Sequence, residues 1–178
     1  WTELVDENGK NILENFYQDQ HKWSFAFQMN SFISRIQKVK SSSSSLNFIE
    51  RSVYTDKYCF AENCFKNKKM TKIEYDIYCR WHTWLCSEFK MKVSAFIYLK
   101  TEPGISQERI RKRDRKGEAE IPLEYLTELH NLHNTWMTKE IENNTPVLIL
   151  DVSKDFYNYT EEQKKIKDSI DKFIGSLT

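Results

Sequence analysis

Three short apolar runs, separated by long segments with helical periodicity, constrain the fold of this chain more than any other feature. The runs are LNFI at 46–49, VSAFIYLK at 93–100 and TPVLILDV at 145–152. The last run is continuously apolar, as strands buried on both faces of a parallel sheet are. Strands that alternate with helices predict an α/β fold in three layers, with helices on both faces of a parallel sheet.

The segments between these runs repeat apolar residues at spacings of three and four, which predicts helices. The predicted helical segments are 9–22 continuing into 23–39, 54–66, 71–90, 121–141 and 160–177. Five consecutive serines at 41–45 cannot build a core, so they indicate a flexible surface connection or an engineered replacement for one. We predict a single domain over all 178 residues, although three strands make a small sheet for so many helices.

Composition excludes several classes of protein. A net charge of +1 gives no general basic field, so nucleic acid is not an expected partner. No apolar run approaches the about 18 residues of a membrane-spanning helix, so no membrane partner is expected either. The four cysteines have neither CxxC nor zinc spacing and are predicted to be reduced structural thiols, which favours an intracellular compartment, whether cytoplasmic, nuclear or mitochondrial. Because the chain begins at Trp1 without a signal-peptide pattern, we expect a fragment or a processed product.

Charge is concentrated where the first apolar run ends, in the stretch ERSVYTDKY. Glu50 and Arg51 would lie at the carboxyl end of a parallel strand, where open α/β sheets bind their ligands. A carboxylate there suits a metal or a proton, and a guanidinium suits an anion; the alternative is a surface ion pair. Asp56 follows at the start of a helix, where an acid is also favoured by the helix dipole.

Two further groups of polar residues share helix faces. Gln28, Ser31 and Arg35 are spaced by three and four on a largely aromatic helix, so they can read the edge of a flat polar ring or form its solvent face. The segment ERIRKRDRKGEAE carries arginines that match phosphate oxygens. A solvated charged helix and a nucleic-acid patch remain alternatives there. The frames GxxxxGK[ST], GxGxxG, HExxH and GxSxG do not occur in the chain.

Several blocks together resemble the deoxynucleoside kinases, closest to the deoxycytidine and deoxyguanosine kinase branch. They are WSFAFQMNSFISRI, ERSVYTDKYCFAEN, YCRWHTWL, FIYLKTEP, RIRKRDRKGEAEIPLEYLTELHNLHNTWM and VLILDVSKDF, in the family's order. The resemblance implies a P-loop kinase-like parallel sheet whose first two strands, phosphate loop and Glu-Pro-Val base lie upstream of Trp1. We therefore expect these 178 residues alone to lack kinase activity and not to fold as a normal monomer.

The resemblance also implies roles around the deoxynucleoside. The sugar 3′-hydroxyl is held by Tyr17 and Glu118. The base is read by Gln28, Arg35 and Asp56, with the small Ser31 leaving room for a larger ring. The rings that sandwich the base or line its pocket are Phe27, Phe60, Trp1 and Phe16.

Other roles concern phosphoryl transfer. Glu50 resembles the carboxylate near Mg²⁺, and Arg51 the arginine beside the 5′ position. Residues 107–120 resemble a lid, and the arginines around the donor phosphates are Arg109, Arg113 and Arg115. The donor adenine would meet a loop containing Asp155 and Phe156.

The expected activity is transfer of the ATP γ-phosphate to the 5′-hydroxyl of a deoxynucleoside, with Mg²⁺. Deoxycytidine and purine deoxynucleosides are expected ahead of thymidine, because Arg35 with Asp56 favours an amino-bearing edge over a 5-methyl group. The alternatives are a thymidine-preferring kinase and an inactive nucleotide-binding homologue. We also expect a homodimer, because the helix containing YDIYCRWHTWL carries more large aromatics than one sheet face can cover.

Overall fold

The computed structural model describes residues 4–40, 46–115, 118 and 121–177. Eight α-helices, one π-helical turn and two strands are found in this part of the chain. In chain order they are α1 Ile12–Gln18, α2 Gln20–Lys40, α3 Val53–Thr55, the π-helical turn Asp56–Ala61, α4 Glu62–Lys66, α5 Lys72–Glu88, β1 Phe96–Lys100, α6 Pro103–Arg113, α7 Leu123–Glu142, β2 Val147–Asp151 and α8 Thr160–Gly175.

The described residues form two compact units. The first contains the chain up to Met91, together with Arg115 and Glu118. The second contains Lys92–Asp114 and 121–177. The predicted lid at 107–120 therefore contributes residues to both units, and its residues 116, 117, 119 and 120 lie outside the described part, as do Trp1 and the serine run.

The first unit is a helical cluster around α2. Phe32 and Ile36 of α2 are buried against Phe16 of α1 and Tyr78 of α5. The fully buried positions of α2 are Ser24, Gln28, Phe32 and Ile36, which lie on one face at a spacing of four. Three helices in this unit begin with a capping box, in which a side chain and the residue three positions later satisfy each other's backbone N–H groups. The capping residues are Asn11, Ser52 and Thr71.

The predicted strand LNFIERS at 46–52 is wrong, because these residues have no regular secondary structure. A strand needs a neighbour that accepts its backbone hydrogen bonds, and in the described residues the sheet consists only of β1 and β2. The run is correspondingly open to solvent, with Phe48 66 % exposed. Arg51 then adopts a left-handed backbone conformation with φ of 60°, which ends any extended run.

The second unit confirms the parallel pairing that the other two apolar runs predicted. β1 and β2 are parallel, in a register that runs from Phe96 opposite Val147 to Lys100 opposite Asp151. Both strands are shorter than their apolar runs. Trp136 of α7 is buried and meets the ring of Phe96 edge-on, at 5.0 Å between centroids. α7 and α8 occupy the positions predicted for them, and no helix in the described ranges is long and apolar enough to cross a membrane.

Candidate functional site

An ion pair between Arg35 and Asp56 is the centre of the polar site in the first unit. Arg35 Nε donates to Asp56 Oδ2 at 2.7 Å, and Nη2 donates to Oδ1 at 3.2 Å, so the carboxylate is held by two bonds. The remaining nitrogen, Nη1, donates to the backbone carbonyl of Glu50 at 2.6 Å. One guanidinium thus links α2 to the ERS stretch and to the first residue of the π-helical turn. Turns of this kind occur frequently at functional sites.

The pair is largely removed from water, with the Arg35 side chain 15 % exposed and that of Asp56 3 % exposed. Burial raises the pKa of Asp56, and the hydrogen bond and charge of Arg35 oppose that rise. Removing one partner of such a pair leaves an uncompensated buried charge, which is strongly destabilising. The site therefore presents a fixed donor and a fixed acceptor at one place.

Gln28 lies on the same helix as Arg35 and is only 2 % exposed. Its Nε2 donates to the thiol sulfur of Cys64 at 3.6 Å. Burial raises the pKa of the Cys64 thiol, while the nearby Ser24 hydroxyl and the Gln28 amide lower it in part. Neither Ser24 nor Cys64 was predicted to lie at this site. The spacing of four between Ser24 and Gln28 was a usable signal for the first, and nothing in the sequence pointed to the second.

The aromatic residues that were predicted to line the base pocket contact one another or a cation. Phe27 stacks on Phe16 with centroids 4.6 Å apart, and Tyr17 meets Phe16 edge-on at 5.2 Å. The guanidinium of Arg51 lies 4.3 Å from the centre of the Phe60 ring. The predicted roles of Phe27 and Phe60 as the two sides of a sandwich stay predictions. Ser31, one helical turn from Gln28, is half-buried.

Acidic residues in the first unit have contrasting environments. Glu50 is exposed, whereas Glu118 is buried and accepts from Arg115 Nη1 at 3.5 Å. The described residues contain no group of three or more His, Cys, Asp or Glu side chains that could hold a metal alone. Mg²⁺ at a nucleotide commonly takes one or two carboxylates and completes its shell with phosphate oxygens and water. The exposed carboxylate of Glu50 fits that donor set.

The second unit contains a separate group of predicted residues, after β2. Arg109 of α6 donates through Nη2 to the carbonyls of Val152 at 2.7 Å, Ser153 at 3.2 Å and Lys154 at 3.1 Å. Its guanidinium carbon lies 5.8 Å from the centre of the Phe156 ring. These contacts bring Arg109 and Phe156 together.

The carboxylate of Asp155 accepts two hydrogen bonds within the same loop. Its Oδ1 accepts from the backbone N–H of Tyr157 at 2.9 Å, and its Oδ2 accepts from Asn158 Nδ2 at 2.9 Å. The hydrogen bond from Asn158, followed by that from Tyr157, lowers the pKa of Asp155. Arg113 is the exposed last residue of α6. Its predicted contact with donor phosphates stays a prediction.

Comparison with known proteins identifies the family of this chain. A family model described as deoxynucleoside kinase matches residues 1–175. Deoxycytidine kinase 2 of Gallus gallus is 36 % identical over 96 % of this chain and 71 % of its own length. Deoxycytidine kinase of Homo sapiens is 34 % identical over 98 % of this chain and 72 % of its own length. Mitochondrial deoxyguanosine kinase of Xenopus laevis is 34 % identical over 94 % of this chain and 69 % of its own length. The chain belongs to the deoxynucleoside kinase family.

Proposed function

We propose that the complete protein transfers the γ-phosphate of ATP to the 5′-hydroxyl of deoxynucleosides and accepts deoxycytidine and purine deoxynucleosides ahead of thymidine. The observation that carries this preference is the buried ion pair between Arg35, on the helix that also carries Gln28, and Asp56 of the π-helical turn. Family membership supports the reaction, and the pair supports the preference.

The hydrogen-bonding capacity of these three side chains explains the preference. Arg35 only donates, ionised Asp56 only accepts, and the Gln28 amide does both. Together they can meet a base edge that offers an acceptor beside an exocyclic amine. Cytosine, adenine and guanine have such an edge, whereas thymine lacks the amine and adds a methyl group. An unpaired buried partner costs about 1 to 3 kcal/mol, which corresponds to roughly one to two orders of magnitude in kcat/KM.

The proposed roles in phosphoryl transfer follow from charge. The protein mainly positions the reactants and stabilises spread negative charge in such reactions. Arg51, Arg113 and Arg115 would supply positive charge, and Tyr17 with Glu118 would hold the sugar. Mg²⁺, when bound near Glu50, would neutralise charge on the transferring phosphate.

A homodimer through α5 is part of the proposal. Ile73, Ile77, Trp81 and Trp84 follow one another at spacings of three and four, so they form one stripe, and all four are exposed. A shallow groove of about 450 Å³ is lined by Arg80 with the last three of these residues. An exposed apolar stripe of four large side chains is typical of an interaction site. A second copy fits it because a two-fold axis lets the same stripe contact itself.

The cysteines support an intracellular location. All four are free thiols, and free thiols persist in reducing compartments.

The deciding experiment measures phosphorylation of deoxycytidine, deoxyadenosine, deoxyguanosine and thymidine by the complete protein with ATP and Mg²⁺. Transfer to the first three, with kcat/KM at least tenfold above that for thymidine, is the expected result. Preference for thymidine would replace the proposal with the pyrimidine alternative. Binding of ATP and deoxynucleoside, measured by calorimetry, without transfer would identify an inactive homologue.

A further inference from the structure

The side chain of Arg109 is bound to backbone, not held open towards solvent. A single nitrogen, Nη2, has three consecutive carbonyl oxygens within 3.2 Å, those of Val152, Ser153 and Lys154. A guanidinium nitrogen of this type carries two hydrogens, so the three oxygens share them. That edge of the guanidinium is therefore already occupied by hydrogen bonds to the protein.

The segment that it holds is a tight loop after β2. Asp151 Oδ1 accepts from the backbone N–H of Ser153 at 2.9 Å, and Asp155 accepts from Tyr157 and Asn158 further on. The carbonyl oxygens of Val152, Ser153 and Lys154 all accept from the guanidinium of Arg109. The positive charge of Arg109 offsets the mutual repulsion of these three oxygens. The guanidinium also lies near the face of Phe156. The shape of residues 152–156 thus depends on a side chain from α6.

We propose that Arg109 is a positioning residue that holds the loop of residues 152–156 ready for the nucleobase of the phosphate donor, and that it is not a ligand of the donor phosphates. The loop follows the carboxyl end of a parallel strand, where open α/β sheets bind ligands. This inference rests on the proposed function, since it assigns a part within ATP binding. It replaces the contact with the donor phosphates that the family resemblance implied for Arg109.

A substitution that keeps length and removes charge separates the two roles. Arg109→Met is compared with Arg111→Met, an exposed arginine of the same helix that has no assigned role. Inorganic tripolyphosphate is the second probe, because it carries phosphates without a nucleobase. Its inhibition constant against ATP is measured for each variant, beside the KM of ATP and the KM of the deoxynucleoside.

Loop positioning predicts that Arg109→Met raises the KM of ATP at least tenfold. The inhibition constant of tripolyphosphate and the KM of the deoxynucleoside should stay within twofold, and Arg111→Met should change none of the three. A phosphate ligand predicts that ATP and tripolyphosphate weaken by the same factor. That result would overturn the proposal, as would an unchanged KM for ATP.

Hydrogen exchange provides a test that does not need activity. In nucleotide-free protein, amides in a peptide covering 152–158 should exchange at least tenfold faster in Arg109→Met than in wild type, while Arg111→Met matches wild type. Unchanged exchange would show that the loop does not depend on Arg109. If wild-type protein transfers no phosphate, the proposed function fails, and exchange still decides whether Arg109 holds the loop.

Discussion

Arg35 explains why so much charge is concentrated in one short stretch of sequence. Its three nitrogens reach the carboxylate of Asp56 and the carbonyl of Glu50, so a residue of α2 organises both ends of the ERSVYTD segment. Burying this ion pair costs desolvation free energy, because two charges are taken out of water. Because buried ion pairs often add little net stability, the proposed base recognition needs a direct test.

Replacing both charges, Arg35→Met with Asp56→Ala, should shift the preference of the complete protein towards thymidine. The double variant removes a donor and an acceptor that thymine cannot use fully, and it leaves no unpaired buried charge. We expect kcat/KM for deoxycytidine and the purine deoxynucleosides to fall by roughly one to two orders of magnitude, with thymidine reduced much less. The measurement is kcat/KM for four deoxynucleosides.

The matched control is Lys72→Met with Asp76→Ala, which removes an exposed ion pair of α5 at 2.7 Å. Its ranking of substrates should equal that of wild type. If the Arg35 and Asp56 double variant keeps the wild-type ranking, these two residues do not read the base.

His82 should make the protein sensitive to acid. Burial, followed by the charge of Lys57, lowers the pKa of this imidazole from 6.5 to about 4, although its bond to the Val53 carbonyl opposes the change. A group with a lowered folded-state pKa stabilises the protein fully above its unfolded pKa. That stability is lost as pH falls from 6.5 through 4, and amounts to at most about 3 kcal/mol.

Urea denaturation between pH 7 and pH 4 tests this expectation for His82→Gln, whose amide can still donate to the Val53 carbonyl. The free energy of unfolding of wild type should fall more steeply in that window than that of the variant. His21→Gln, at an exposed histidine, should behave as wild type. Parallel curves for wild type and His82→Gln would contradict a buried neutral imidazole.

At the scale of elements, the sequence predicts helices well wherever local signals mark their ends. α5 was expected at 71–90 and spans Lys72–Glu88, because Thr71 and Glu74 form a capping box in the sequence itself. The prediction of the strand LNFIERS was wrong because strand formation depends on a partner strand elsewhere in the chain. The π-helical turn and the Arg35–Asp56 contact, across 21 positions, likewise depend on tertiary packing. The types of site residue were readable from the sequence, and Arg35 was placed with Asp56 only by the family resemblance.

Ser52 and Thr71 allow a test of how a helix start positions the site. Both begin capping boxes, so Ser52→Ala and Thr71→Ala should each lower the free energy of unfolding by about 1 kcal/mol. The helix that Ser52 caps leads directly into Asp56, whereas Thr71 begins α5. Ser52→Ala should therefore also reduce kcat/KM for deoxycytidine severalfold, with no such loss in Thr71→Ala. Equal kinetics at equal stability cost would show that this cap does not position Asp56.

At the scale of the whole molecule, the predicted functions divide between two units of one chain. Residues of the base-reading group and the ERS stretch belong to the first unit, and the loop after β2 belongs to the second. The lid segment leaves the second unit after Asp114, whose left-handed backbone conformation ends α6. Arg113 and Arg115 therefore lie in different units, although they are two positions apart.

The proposed dimer through α5 can be tested directly on the whole molecule. Trp81 and Trp84 are 45 % and 54 % exposed, so each can bury roughly 100 Å² against a second copy. At about 25 cal/mol per Å², that corresponds to roughly 2 to 3 kcal/mol for each side chain. Sedimentation equilibrium of the complete protein at micromolar concentration should show a dimer. Trp81→Glu with Trp84→Glu should weaken dimerisation at least a hundredfold and yield monomer.

The control for this change is Leu177→Glu, which places the same charge at an exposed apolar residue near the end of the second unit. It should leave the dimer intact, because Leu177 is not part of the α5 stripe. Far-ultraviolet circular dichroism must be the same for all three proteins, so that loss of association is not loss of folding. Wild-type protein that sediments only as monomer, or a tryptophan variant that remains a dimer, would show that this stripe is not the interface between copies.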